Sequence, residues 1–215
     1  MKITKLGHCC LLIEVAGRRV LTDPGMFTVA QHSAVRDIDV VVITHEHGDH
    51  CHTDSVVDIV AANPNVQIVC NASVGAVLQS VELAYTTVAH GQSVLCAGVP
   101  IRAHDSTHAE IYEAVGQVPT TGYLIGERLF CPGDSWDQPE FSVEVLALPV
   151  AGPWCRIADA IRFALAVRPA TVFPVHDGLL NEQGVGITYS HPATQLTAAN
   201  ITFTPLRDGA TLVVE

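Results

Sequence analysis

The sequence predicts a mixed α/β fold in one domain, and three observations predict it. Short runs rich in β-branched residues alternate with segments of helical periodicity, the pattern of strands and helices packed in layers. Most runs are closed by Gly, Pro, Asn or Asp, as at Asp23-Pro24-Gly25 and Asn63-Pro64. Of the 215 residues, 48% are hydrophobic and 15% charged, enough for one sizeable core in a chain too short for two ordinary domains.

Taken in order, residues 2–6 and 10–15 read as strands, joined to a third over 19–22 by a turn at Ala16-Gly17-Arg18. This antiparallel meander stops at Asp23-Pro24-Gly25. Residues 39–44 read Asp-Val-Val-Val-Ile-Thr, a continuous run typical of a strand buried on both faces. Thr53 is placed to cap a helix running to Ala62, a strand follows over 66–70, and Asn71 is placed to cap a second helix to about Val81. Short strands are expected near 85–88, 93–96 and 99–103. The polar, poorly periodic segment 104–120 reads as one long loop, and loops of that length in a compact domain are often functional. Strands resume over 122–125 and 128–131, the second ending in Pro132-Gly133-Asp134, and again over 145–150. A helix over 156–167 has Ile157, Ala160, Ile161, Ala164 and Leu165 on one stripe. Pro169 ends it, and a strand over 170–174 leads to His176. The tail reads as a helix over 192–199 and a hairpin turned at Asp208-Gly209.

Charge and cysteine content exclude several classes of function. Eleven basic residues against 22 acidic ones give a formal charge of -11, which disfavours a broad face for nucleic acid or an anionic membrane. The seven cysteines are odd in number, form no C-x-x-C pair and lie mostly in apolar runs such as Val69-Cys70. They read as reduced, packed thiols, which points to the cytoplasm. His8 and Glu14 interrupt the N-terminal apolar stretch, so no signal peptide is expected. No aliphatic run approaches the ~20 residues a membrane helix needs.

Directly after the run 39–44 stand His45-Glu46-His47-Gly48-Asp49-His50. His45, His47, Asp49 and His50 are potential ligands, in the imidazole and carboxylate mix that borderline divalent metals favour. In extended backbone residues 45 and 47 project to one side, and Gly48 permits a sharp turn that swings Asp49 and His50 toward a second ion. Alternation sends Glu46 away. A zincin helix needs His-Glu-x-x-His, whereas Asp49 stands four after His45. Gly-x-Ser-x-Gly, P-loop and Gly-x-Gly-x-x-Gly patterns are absent.

The pattern His45-x-His47-x-Asp49-His50 resembles the signature of the metallo-β-lactamase superfamily. Gly7-His8-Cys9-Cys10, Asp23-Pro24, the His108 region, Pro132-Gly133-Asp134-Ser135 and Val175-His176-Asp177-Gly178 look like further landmarks of its small, lactonase-like branch of metal-dependent hydrolases. The resemblance implies an α/β (α+β) fold, a four-layer αββα sandwich of two mixed sheets with the site at one edge. It implies two divalent ions, zinc first with Mn, Fe or Ni as alternatives. His45, His47 and His108 would hold one ion, Asp49, His50 and His176 the other, and Asp134 would bridge them. His104, four residues before His108, is a rival for that position.

Other readings stand beside these. Asp23 either caps the turn with Pro24 or orients an imidazole from behind. His8 is either a pocket residue or a core histidine. Asp134 and His176, each beside a glycine turn, would be ordinary turn residues if they stood alone. Phe27, Tyr123, Trp136, Phe141 and Trp154 read first as core.

The resemblance further implies hydrolysis by a metal-bridging hydroxide, with Asp49, Asp134 and His176 as the catalytic group. The substrate expected is a small ester-type molecule: a lactone or other cyclic ester, a thioester or a phosphodiester. A nuclease-type phosphodiesterase and a nonenzymatic metal-binding scaffold are the alternatives. A flavodiiron-type oxidoreductase has glutamate where this chain has His47. Ala151-Gly152 stands where related sequences place a histidine, a departure that bears on substrate. No nucleic acid or membrane partner is expected, and a homo-oligomer is left open.

Overall fold

The computed structural model describes residues 1–215. Two seven-stranded mixed sheets stack face to face. The first contains β1 (Lys2–Gly7), β2 (Cys10–Val15), β3 (Arg18–Thr22), β4 (Val40–Ile43), β5 (Gln67–Cys70), β6 (Thr86–Thr87) and β14 (Thr211–Val213), in the order β14-β1-β2-β3-β4-β5-β6. The second contains β7 (Ser93–Cys96), β8 (Val99–Thr107), β9 (Pro119–Ile125), β10 (Leu129–Cys131), β11 (Val145–Pro149), β12 (Thr171–Val175) and β13 (Thr202–Phe203), in the order β13-β12-β11-β10-β9-β8-β7.

The period of two along each strand builds the layers. In β4, Val40 and Val42 point into a 22-residue core between the sheets, while Val41 and Ile43 join a 12-residue cluster on the outer face. That outer face is covered by α2 (Thr53–Ala62) and α3 (Ala72–Ser80) through Val56, Ile59, Val74 and Leu78. In β11, Val145 and Ala147 face inward, and Leu146 and Leu148 pack beneath α4 (Ile157–Val167) and α5 (Glu182–Ala198) in a third cluster. The result is the expected αββα sandwich. A short helix, α1 (Val29–His32), lies in the loop after β3. No helix is long and apolar enough to cross a membrane. All seven cysteines are free, six of them buried and Cys155 half-buried.

Several expectations need correction. The segment 104–120 is not one loop: β8 runs to Thr107 and β9 starts at Pro119, paired residue by residue from Ile101 with Ile125 to Thr107 with Pro119. The polar half of this hairpin satisfies its backbone in the ladder without an apolar pattern to betray it, and the true loop is 108–118. Thr53 is not the cap of α2; the capping position is His52, whose Nδ1 pairs with Ser55 Oγ at 2.7 Å. In α4 the stripe is rotated toward Phe163, which is buried with Ala160 and Ala164, while Leu165 is exposed. Helix α5 begins ten residues earlier than read, capped by Asn181, which accepts from Gly184 N at 2.8 Å. Pro192 lies inside it and does not start it; Gly184 and Gly186 blur the periodicity upstream. The turn at Asp208-Gly209 joins no hairpin, because β13 pairs with β12 in the second sheet and β14 with β1 in the first.

Asn71 shows how the sheets are tied at one edge. Its Oδ1 accepts from Val74 N at 2.9 Å, capping α3, while its Nδ2 donates to Thr44 O at 3.0 Å and Pro119 O at 3.2 Å. Asn71→Ala removes a cap and the amide that Pro119 O and Thr44 O share, Thr44 O keeping Thr121 N at 3.0 Å, a loss of about 1–2 kcal/mol. The urea midpoint is expected to fall accordingly, with an unchanged slope.

Candidate metal centre

The parallel strands β4, β11 and β12 and the antiparallel pair β8 and β9 bring their loops to one edge of the sandwich, where ligands gather in open α/β sheets. From the first sheet come His8, Asp23 and residues 45–50; from the second come His108, Asp134 and His176.

Two groups of donor atoms form there, each within 4.8 Å of one another: His45, His47 and His108, and His8, Asp49, His50 and His176. Asp134 lies between them. Its Oδ2 is 3.3 Å from His108 Nε2, 3.8 Å from His45 Nε2 and 3.0 Å from His176 Nε2, and its Oδ1 is 3.2 Å from His50 Nε2. Asp49 Oδ2 lies 3.5 Å from His176 Nε2 and 3.9 Å from His50 Nε2. Every residue expected at the centre is therefore brought to it. The rival, His104, is not: it sits in β8 against His90, Phe130 and Phe141.

Three of the ligand imidazoles, those of His50, His45 and His108, are aimed from behind. Asp23 accepts from Thr44 N at 2.8 Å, from Thr44 Oγ1 at 3.0 Å and from His50 Nδ1 at 2.9 Å. That fixes the tautomer of His50 and turns its Nε2 to Asp134. With its proton given to Asp23, Thr44 Oγ1 accepts from His45 Nδ1 at 3.1 Å, so one threonine orients a second ring. His108 Nδ1 donates to Ala109 O at 2.6 Å. His8 Nδ1 accepts from Gly178 N at 3.2 Å, leaving Nε2–H to donate to Asp49 Oδ2, also at 3.2 Å. Its nitrogens are thus committed, which makes His8 a support for Asp49. Asp23 and His8 are both buried behind the centre, Asp23 against His50 and His8 against Asp49.

The turn through the motif is not the work of Gly48, whose added Cβ would meet only Met26 Sδ at 3.5 Å. It closes through His50 N and Cys51 N, which donate to His47 O at 2.9 and 2.8 Å. The glycine the geometry demands is Gly25, where a Cβ would lie 1.7 Å from Asp49 O. Glu46 points away from the centre and accepts from Ser73 Oγ.

Electrostatics divide the cluster. Burial, then the neighbouring His50, holds His45 well below the usual imidazole range, and burial with His108 lowers His47. Burial also opposes charge on His50 and His176, but Asp134 outweighs it, with Asp23 raising His50 and Asp49 helping to push His176 up to about 9. The burial that favours a neutral Asp134 is overcome by His50 and His176, and the burial of Asp49 by His176 and His8; both carboxyls fall below their ordinary range.

A cation fits this arrangement. The buried atoms His50 Nε2, His176 Nε2 and Asp134 Oδ1 have no hydrogen-bond partner, a costly state for polar atoms unless something binds them. The donor set is imidazole nitrogen and carboxylate oxygen, which suits zinc and its neighbours. Cys9, which was not expected, places its thiol within 4.8 Å of His50 and Asp134 donors, but burial and then Asp134 push it well above the ordinary thiol value. His108→Ala is expected to lower metal content toward one ion per chain, measured by elemental analysis. His104→Ala is expected to leave it unchanged.

Sequence reasoning also missed the buried ion pair at Asp177, the residue after His176. Lys5 is fully buried and donates to Asp177 at 2.6 and 2.8 Å, while Tyr189 donates to the same carboxylate. The signal was present, since Lys5 shares a strand face with Ile3, and a lysine at core parity asks for a buried acid.

The front of the cluster opens into a cleft of about 310 Å³ walled by Met26, Phe27, Ile111, Pro153, Trp154 and Leu179. Phe27 therefore lines the site and is exposed, and Trp154, buried as expected, also lends a face to the cleft, whereas Tyr123 is fully buried in the core. Gly152 has φ +145°, and a Cβ there would lie 2.9 Å from Trp154 Nε1 and 3.3 Å from His176 Cε1. The indole occupies the space a side chain at 152 would take.

A family model described as the β-lactamase superfamily domain matches residues 2–176. Protein Rv0786c of Mycobacterium tuberculosis is 30% identical over 216 residues, covering 98% of this chain and 100% of its own length. A UPF0173 metal-dependent hydrolase of Aeropyrum pernix is 28% identical over 207 residues, with 82% of each chain covered. Among solved structures, Igni18, a metallo hydrolase from the archaeon Ignicoccus hospitalis, matches with a TM-score of 0.77 at 18% identity, covering 100% of this chain and 98% of its own. That likeness is one of fold.

Proposed function

We infer the function of this chain from the premise that it belongs to the β-lactamase superfamily, whose domain spans residues 2–176. It is a metal-dependent hydrolase of the metallo-β-lactamase fold, as relatives along most of its length are named. The finer reading is a dinuclear hydrolase acting on a small ester-type substrate, a lactone or other carboxylic ester ahead of a phosphodiester. The observation that carries it is the pair of donor groups with Asp134 reaching both, and with three buried atoms there, His50 Nε2, His176 Nε2 and Asp134 Oδ1, that have no hydrogen-bond partner.

His45, His47 and His108 would hold one cation and Asp49, His50 and His176 the other, with Asp134 shared. When bound, such ions bring the pKa of water from 15.7 to about 7 and polarise the carbonyl under attack. The chain supplies the rest. Asp49 is the carboxylate turned furthest toward the cleft, with 23% of its side chain exposed. Held charged by His176 and His8, it can accept a proton's hydrogen bond from the attacking water and fix its direction. Asp134, almost fully buried, keeps the two histidine groups at a constant separation. Trp154, its ring 5.3 Å from that of His176 and 5.7 Å from that of His108, shields one flank of the centre from solvent.

The test is to strip the purified chain with a chelator and reload it with zinc, manganese, iron or nickel. Bound metal is then counted and turnover measured over lactone, ester, thioester and phosphodiester substrates. Two ions per chain and hydrolysis of a carboxylic ester are expected. Full loading without turnover of any substrate class would overturn the enzymatic reading in favour of a scaffold. Reloading is also expected to raise the melting temperature by about 5–10 °C at a free metal concentration of 100 times Kd, from a linkage of about 2.7 kcal/mol.

A further inference from the structure

We propose that the substrate is an uncharged ester or lactone whose acyl part carries an apolar chain, seated between Phe27 and Leu179 on one side and Ile111 and Trp154 on the other; this rests on the hydrolase reading above. Two independent observations support it. The first is the wall itself. All six of its side chains outside the metal-facing residues are apolar, and three of them are exposed large hydrophobics: Met26 at 55%, Phe27 at 41% and Leu179 at 59%. Such side chains cost free energy in water and recover it when a ligand covers them.

The second observation is the distribution of cations. The loops that reach this edge are residues 23–28, 44–52, 108–118, 132–144, 150–156 and 176–181, and their one cation, Arg156, is engaged by Asp159 at 2.7 and 3.0 Å. The loop 108–118 that brings Ile111 into the cleft adds Glu110 and Glu113. A substrate with a phosphate or carboxylate away from the scissile bond would meet no unpaired counter-charge there and would pay for desolvating its own. Nucleotide phosphodiesters and thioesters of phosphorylated carriers are therefore poor fits, whereas an alkyl or aryl acyl chain fits the wall. The cleft discriminates by what it omits as much as by what it contacts.

The experiment has two readouts on the metal-loaded protein. The first is kcat/KM for p-nitrophenyl acetate, butanoate, hexanoate and octanoate, with bis(p-nitrophenyl) phosphate and the p-nitrophenyl monoester of adipic acid as anionic comparators. The second, independent of turnover, is the Kd of butanoate to octanoate and of the matching dicarboxylates, read from tryptophan fluorescence, since Trp154 lies in the wall. Affinity and kcat/KM are expected to rise about two- to fourfold per methylene, and the anionic-tailed compounds to fall at least tenfold behind their neutral counterparts. Phe27→Ala and Leu179→Ala, at exposed positions, should flatten both series, and Leu179→Arg should favour the dicarboxylates. A flat series, or equal binding of the dicarboxylates by the unaltered protein, would overturn the proposal. Chain-length-dependent binding without hydrolysis of any ester would uphold the ligand class and overturn the hydrolase reading.

Discussion

Asp134→Ala is expected to reduce ester hydrolysis by more than about 100-fold and to bring metal content below two ions per chain, with the far-ultraviolet circular dichroism unchanged. The magnitude is a lower bound, because residues that only support a metal ligand already cost 10–100-fold. Asp134 differs from the other acids in touching both halves of the centre: it approaches His108 and His45 on one side and His176 and His50 on the other. Its loss leaves four buried imidazoles without the one carboxylate they share, His45 and His108 on one side and His50 and His176 on the other. Asp134→Asn keeps the shape and removes the charge, and it is expected to lose activity to a similar degree. Full activity of either variant with two ions bound would remove Asp134 from the centre.

Lys5→Met is expected to destabilise the protein by about 3–5 kcal/mol, the cost of leaving a buried carboxylate without its cation and with only the Tyr189 hydroxyl as donor. For a chain of this length that corresponds to a fall of roughly 6–20 °C in melting temperature. Lys5 is 0% exposed and Asp177 is 7% exposed, so solvent cannot take the place of the missing ammonium. The double variant Lys5→Met/Asp177→Leu should recover part of the loss, since removing both charges spares the desolvation of each. Asp177 follows His176, which adopts φ +60° and donates its backbone N–H to His8 O at 3.2 Å. Metal affinity of the single variant should therefore fall along with stability, by about 10–100-fold. Equal melting temperatures for Lys5→Met and the unaltered chain would show that the pair contributes nothing.

Much of the architecture was legible because burial and chain order coincide. The run 39–44 is apolar on both sides because β4 has a core on each face, and four of the six residues after it needed no tertiary knowledge to be seen as ligands. Asp134 and His176 are isolated in the chain and gain meaning only beside that run. What stayed hidden was held by hydrogen bonding and not by apolar periodicity. The polar ends of β8 and β9 pair through backbone groups that any side chains permit. Thr44 reads as the last residue of a strand, and nothing local marks it as the group that turns two imidazoles. Helix α5 carries two glycines and a buried proline, so its turn-by-turn signal is weak and its start had to come from the Asn181 cap.

The division of the centre between the sheets bears on how the chain comes to work. His8, Asp23 and residues 45–50 belong to the first sheet, and His108, Asp134 and His176 hang from the second. On a ribosome adding 5–20 residues per second, His176 follows His50 by on the order of ten seconds. Throughout that interval the early histidines have no complement. A proteolytic piece carrying one sheet alone is in the same position. Catalysis by this chain is thus a report that synthesis has passed His176 and that the two halves have met, and an assay for it doubles as an assay for assembly.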